Sequence, residues 1–127
     1  MIKSTLPTDY LVNILRGTIV SLVRQDSVDL SARQLGVFLT CYLENGSHTV
    51  RGLAQELNIS KPAITRALDR LEELDYVRRK VDPTDRRSIL VQRTVRGAAF
   101  LRETRHIMNN AVSAQKTEAP TRRTAVA

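Results

Sequence analysis

The sequence offers few groups for covalent chemistry and many for holding anions. Sixteen of its twenty Lys and Arg residues are Arg, whose planar fork matches phosphate oxygens and the guanine edge. The cations are unevenly placed. Residues 1–45 carry four positive and four negative side chains, residues 46–94 ten and seven, and residues 95–127 six and two, which gives 0, +3 and +4. Within the middle segment, Arg78, Arg79, Lys80, Arg86, Arg87 and Arg93 face only Asp82 and Asp85 in sequence, and Lys61, Arg66 and Arg70 form a second group. Such groups bind a polyanion if they share a face, although a solvated surface accounts equally well for net charge alone.

The groups that perform catalysis are sparse. Cys41 is the only cysteine, so no internal disulfide and no C-x-x-C metal or redox pair exists. It stands between Leu39 and Leu43 in an apolar run, which suits a buried inert thiol better than an oxidation sensor. His48 and His106 are remote from each other and have no metal-ligand companion, so both are read as surface or structural residues. Nothing assembles a nucleophile, base and orienter, and no Gly-rich phosphate loop exists among five Gly. No enzyme activity and no cofactor are expected. Aromatics make up only 4%, with no Trp, which disfavours single-strand binding by base stacking.

The elements that must position the cations follow from periodicity and caps. Residues 8–24 are apolar at Leu11, Val12, Ile14, Leu15, Ile19, Val20, Leu22 and Val23, a helical stripe too wide for one buried face. Ser31 and Gln34 form a capping box that opens a helix through about Glu44, stopped by Asn45-Gly46. A short helix over 49–57, a tight turn and a helix over 60–74 follow, the last with Ser60 as N-cap and Pro62 in its first turn. Residues 77–82 and 89–94 read as strands joined by a turn over 83–87, and 95–114 as a final helix. Residues 115–127 hold too little apolar surface to fold and read as a disordered basic tail, with Arg122 and Arg123 in it.

Leu53, Ala54, Leu57, Ile59, Ile64 and Leu68 have the spacing of a helix-turn-helix, with Asn58 where the turn needs a left-handed residue. If Ile64, Leu68 and Leu71 face inward, the second helix presents Lys61, Pro62, Thr65, Arg66 and Arg70 outward. That surface suits the major groove, with Ser60 near the backbone phosphates. Arg66 and Arg70 have an alternative use, intrahelical pairing with Asp69 or Glu73. The basic hairpin that follows is a wing: Asp85 orients Arg87 while Arg86 reaches a minor groove.

The run from Leu53 to Thr94 closely resembles the winged-helix core of MarR-type (multiple antibiotic resistance regulator) transcription factors. The similarity covers roughly residues 31–97, and its most specific pieces are Ile64-Thr-Arg66, Leu68-Asp-Arg-Leu71 and Asp82-Pro-Thr-Asp-Arg-Arg-Ser88. The resemblance implies a mainly α winged helix-turn-helix fold and a homodimeric regulator of double-stranded DNA, often a repressor. In that family the terminal helices form the dimer interface, here Leu11, Leu15, Ile19, Leu22, Leu101 and Met108. Many members respond to a small molecule; no effector is identifiable here. The sequence departs from the family at Asp75, where Gly is usual, at Arg93, where an apolar residue is usual, and in a short C-terminal region.

The expected organisation is one domain over 1–114, with dimerisation helices at 8–24 and 95–114 around a DNA-binding core at 31–94. No apolar run reaches the length of a membrane span and no secretory signal pattern opens the chain, so a cytoplasmic protein that does not engage membranes is expected. The rival from another class is a winged-helix adaptor or anti-regulator that binds protein rather than DNA.

Overall fold

In the computed structural model, residues 7–25 and 28–126 are described, with side chains as far as Gln115. The tail cations Lys116, Arg122 and Arg123 and the terminal Ala127 therefore lie outside the described side chains. The helices are α1 (Tyr10–Arg24), α2 (Ala32–Leu43), α3 (Val50–Leu57), α4 (Lys61–Glu73) and α5 (Val95–Val126). The strands are β1 (His48–Thr49), β2 (Val77–Asp82) and β3 (Asp85–Arg93). Among the described residues no helix is long and apolar enough to cross a membrane.

The chain divides into two compact units, residues 30–101 and residues 1–29 with 102–127. In the first, each helix begins where the sequence supplies a cap. The Ser31 hydroxyl accepts from Gln34 N at 3.1 Å while the Gln34 side chain accepts from Ser31 N at 2.9 Å, which closes the capping box. Thr49 accepts from Gly52 N and Ser60 from Ala63 N, starting α3 and α4. Asn58 takes the left-handed conformation (φ 54°) that lets α3 stop and the chain turn into α4.

Leu53, Ile64, Leu68 and Leu71 are fully buried between these helices, with Val37 and Phe38 of α2. Phe38 stacks on Tyr42 and meets Phe100 edge-on, and Tyr76 stacks on Phe100. The three strands form one antiparallel sheet in the order β1-β3-β2. Two-residue β1 has no signal in the sequence; it exists because His48 and Thr49 pair with Val91 and Leu90 of β3.

Tyr42 ties the unit together. Its hydroxyl donates to Tyr76 O at 2.7 Å and accepts from Thr94 N at 3.0 Å. Thr94 in turn donates to Asp75 O at 2.6 Å and accepts from Gly97 N, capping α5. A Cβ at Gly97 would stand 1.8 Å from the Tyr42 hydroxyl and 2.3 Å from Tyr76 O, so only glycine fits there.

In the second unit α1 lies against the C-terminal part of α5, close enough that a Cβ at Gly17 would stand 3.3 Å from that of Ala111. Ile14 and Thr18 are buried on α1 and Ile107 on α5. Beside that buried edge, Leu11, Leu15, Ile19 and Val23 recur every four residues and remain exposed, Leu11 at 64%. The final helix does not stop near residue 114 but continues to Val126, through the segment read as disordered. Low apolar content prevents burial, not helix propagation, and extending an existing helix needs no new nucleus.

Candidate nucleic-acid interface

The outward face of α4 is set by the inward one. Ala63, Ile64, Ala67, Leu68 and Leu71 are buried, which by helical geometry leaves Lys61, Pro62, Thr65 and Arg66 exposed on the opposite side. Ser60 is exposed at the N-cap. Lys61 and Arg66 make no ion pair among the described residues, so their charges are free for a ligand. Arg70 differs: its guanidinium is bound to Glu73 at 2.5 Å, the intrahelical pairing that the sequence left open.

The hairpin is closed by Asp82. Its carboxylate accepts from Thr84 N at 2.9 Å and from the Thr84 hydroxyl at 2.8 Å. Those bonds, the backbone one foremost, hold the Asp82 carboxyl below its usual pKa. The turn is thereby confined to Pro83-Thr84, and β3 begins at Asp85, four residues earlier than expected. Arg86 and Arg87 thus lie within β3, past the two-residue turn. From Val81 to Asp82 β2 advances one residue, whereas β3 retreats four, from Ile89 to Asp85. Arg86, Arg87 and Ser88 are the additional residues of that irregularity, which swings them off the regular ladder. Asp85 holds Arg87, accepting from its backbone N at 3.1 Å and approaching its Nε at 3.6 Å. Arg86 is exposed and has no ion pair among the described residues.

Arg79 is the residue whose role the sequence hid. Counted among the wing cations, it instead clamps β2 to α4. Its Nε donates to Glu72 at 2.9 Å, its Nη2 to Glu72 and Asp69 at 2.6 Å each, and Glu72 also accepts from its backbone N. Desolvation alone lowers its pKa, but the bonds to Glu72 and Asp69 outweigh that and raise it. Separations of seven and ten residues give no local pattern from which this pairing is legible. Of the six cations between Tyr76 and Arg93, Arg78 also has a partner in Asp75, at 3.5 Å.

Comparisons with known proteins fit this arrangement. The MarR family profile matches residues 28–88. Wild-type MarR from E. coli in its apo form superposes with a TM-score of 0.65 at 25% identity, covering 91% of this chain and 86% of that one. The chain belongs to the MarR family. A transcriptional regulator from Thermotoga maritima shares the fold at 20% identity (TM-score 0.72, covering 87% of this chain and 75% of that chain). A MarR transcriptional regulator from Methanosarcina mazei does so at 24% (TM-score 0.62, covering 86% and 78%). A comparison with curated protein sequences gives no match.

As a MarR-family transcriptional regulator, and so of a non-enzymatic family, the protein accommodates its two winged-helix departures by local means. Asp75 is left-handed (φ 61°), its N–H bonded to Glu72 O while Tyr76 N reaches Leu71 O. This is the helix ending that glycine usually fills. Arg93 donates to Cys41 O at 2.9 Å and Glu44 O at 3.3 Å, neutralising the carbonyl end of α2, and lies over the Tyr42 ring. Burial pushes the Cys41 thiol up to about 11, partly offset by Arg93, so it is protonated at neutral pH.

Of the residues expected at a dimer interface, Leu11, Leu15, Ile19 and Met108 are exposed and Leu22 is half-buried. Leu101 is 8% exposed, buried within its own chain in the segment that ends the winged-helix unit.

Proposed function

We propose that this MarR-family protein binds double-stranded DNA as a homodimer in the cytoplasm and represses transcription from an inverted-repeat operator. The observation that carries the proposal is the exposed α4 face, where Lys61, Thr65 and Arg66 stand free of carboxylates above a fully buried apolar face. In the major groove Arg66 donates to a guanine edge and Thr65 meets a base or thymine methyl, while Ser60 and Lys61 hold phosphates. Arg70, bound to Glu73 in the free protein, exchanges that exposed pair for phosphate. Arg86 enters the minor groove and Asp85 keeps Arg87 alongside it. The exposed stripe of Leu11, Leu15 and Ile19 supports dimerisation, because a helix seldom leaves such a face in water.

Titration of mixed-sequence duplex at several salt concentrations tests the proposal. Binding should weaken by orders of magnitude between roughly 50 and 200 mM salt if several phosphates are neutralised. Absent or salt-insensitive binding would favour the protein-binding adaptor instead.

A further inference from the structure

The far end of the wing exposes an apolar pair that neither the fold nor the cationic contacts require. Val81 and Ile89 are cross-strand partners and stay 48% and 40% exposed. Side chains alternate along a strand, so Val81 shares a face with Arg79 and Val77. Val77 is fully buried and Arg79 reaches Asp69 and Glu72 of α4, so that face is the one turned to α4. Val81 and Ile89 continue it towards the hairpin end, where cover runs out. Arg86 and Arg87 precede Ile89 in β3, and Lys80 adjoins Val81 in β2 on the opposite face of the sheet. Arg87 is engaged by Asp85, and Asp82 is held by Thr84, which leaves Arg86 as the cation preceding Ile89 with no ion pair among the described residues.

An apolar pair beside the unpaired Arg86 fits a surface that is anionic at its rim and apolar within. The minor groove of duplex DNA has that make-up, with phosphates along its edges and deoxyribose rings forming its walls. A second copy of this chain does not match it, because the same cations would face each other. We propose that Val81 and Ile89 pack against deoxyribose in the minor groove and supply a salt-independent part of the affinity. The proposal rests on the DNA-binding reading above and adds to it a contact that is not a charge contact.

The double variant Val81→Thr with Ile89→Thr tests it, since both replacements keep the β-branched shape suited to strands. With about half of each side chain left to bury, duplex affinity should fall about tenfold at every salt concentration. The slope of log affinity against log salt should match wild type. Arg86→Gln should instead lower the slope by about one per protomer bound, about two for the dimer. Hydroxyl-radical footprinting reads deoxyribose access directly, and sugar protection at the wing position should be lost in the double variant.

Affinity within twofold of wild type, a reduced slope, or unchanged sugar protection would overturn the proposal while leaving DNA binding intact. A change in oligomeric state by light scattering at equal DNA affinity would assign the pair to a protein contact and overturn it too. Wild-type protein that binds no duplex would remove the underlying reading as well.

Discussion

Gly97→Ala is the most severe single-methyl change available in the winged-helix unit. The added carbon would stand 1.8 Å from the Tyr42 hydroxyl, 2.3 Å from Tyr76 O and 2.6 Å from Tyr42 Cζ. One obstacle is backbone and the others belong to a buried ring, so no flexible side-chain end can yield. Relief requires the start of α5 to move away from Tyr42, breaking the bonds from its hydroxyl to Tyr76 O and from Thr94 N. Overpacking costs about 1–3 kcal/mol and a stranded buried polar group about 1–3 more, so roughly 2–6 kcal/mol is expected. That is a large share of the ~5–15 kcal/mol by which domains are stable, and it lowers the melting temperature by roughly 10–20 °C. Helix propensity alone argues the opposite, favouring Ala over Gly by about 1 kcal/mol. Gly36→Ala in α2 is the internal control, because nothing lies within 4 Å of its added carbon and propensity should stabilise it. Thermal and denaturant unfolding followed by circular dichroism distinguish the two. Equal or higher stability of Gly97→Ala would refute the packing argument, as would full rescue by Tyr42→Phe, which leaves the ring and Tyr76 O in place.

The remaining predictions concern residues with a structural partner. Arg79→Gln should destabilise by about 1–2 kcal/mol through loss of a partly exposed bidentate clamp, measurable by urea unfolding, yet leave the salt slope of DNA binding unchanged. Asp75→Gly should stabilise by roughly 0.5–1 kcal/mol, because glycine accepts φ 61° without strain and only the exposed pair with Arg78 is lost. Cys41 should resist alkylation in the native protein at neutral pH and react once unfolded. Its raised value also sets a pH dependence: the unfolded thiol ionises from about 9.0 while the folded one stays protonated to about 11, so stability should fall across that interval and be unaffected below it.

Local signals in the sequence reached far into this fold. The capping box at Ser31, the caps at Thr49 and Ser60 and the left-handed Asn58 are decided within four residues, and α2, α3, α4 and β2 begin and end within a residue of where those signals put them. What local signals do not encode is partnership at long range. Arg79 looks like one more wing cation until Asp69 and Glu72 are folded beside it. Gly97 looks like a weak helix residue until the Tyr42 hydroxyl, fifty-five positions earlier, occupies the space of its missing Cβ. Strand β3 starts early because Asp82 bonds Thr84 and tightens the turn, a side-chain choice that strand periodicity does not register. Leu101 shares the apolar character of the exposed stripe residues but is buried, and composition cannot separate core from interface.

In the function proposed above, the exposed face of α4 reads base edges. Selection of bound duplexes from a random pool by wild-type protein and by Arg66→Ala tests it most directly. A two-fold-symmetric consensus with half-sites about one helical turn apart is expected. The Ala variant should lose discrimination at one position in each half-site, at a cost of ~1–3 kcal/mol for the preferred base, and keep the rest of the consensus. No enrichment by the wild-type protein, or an identical consensus from the variant, would contradict it.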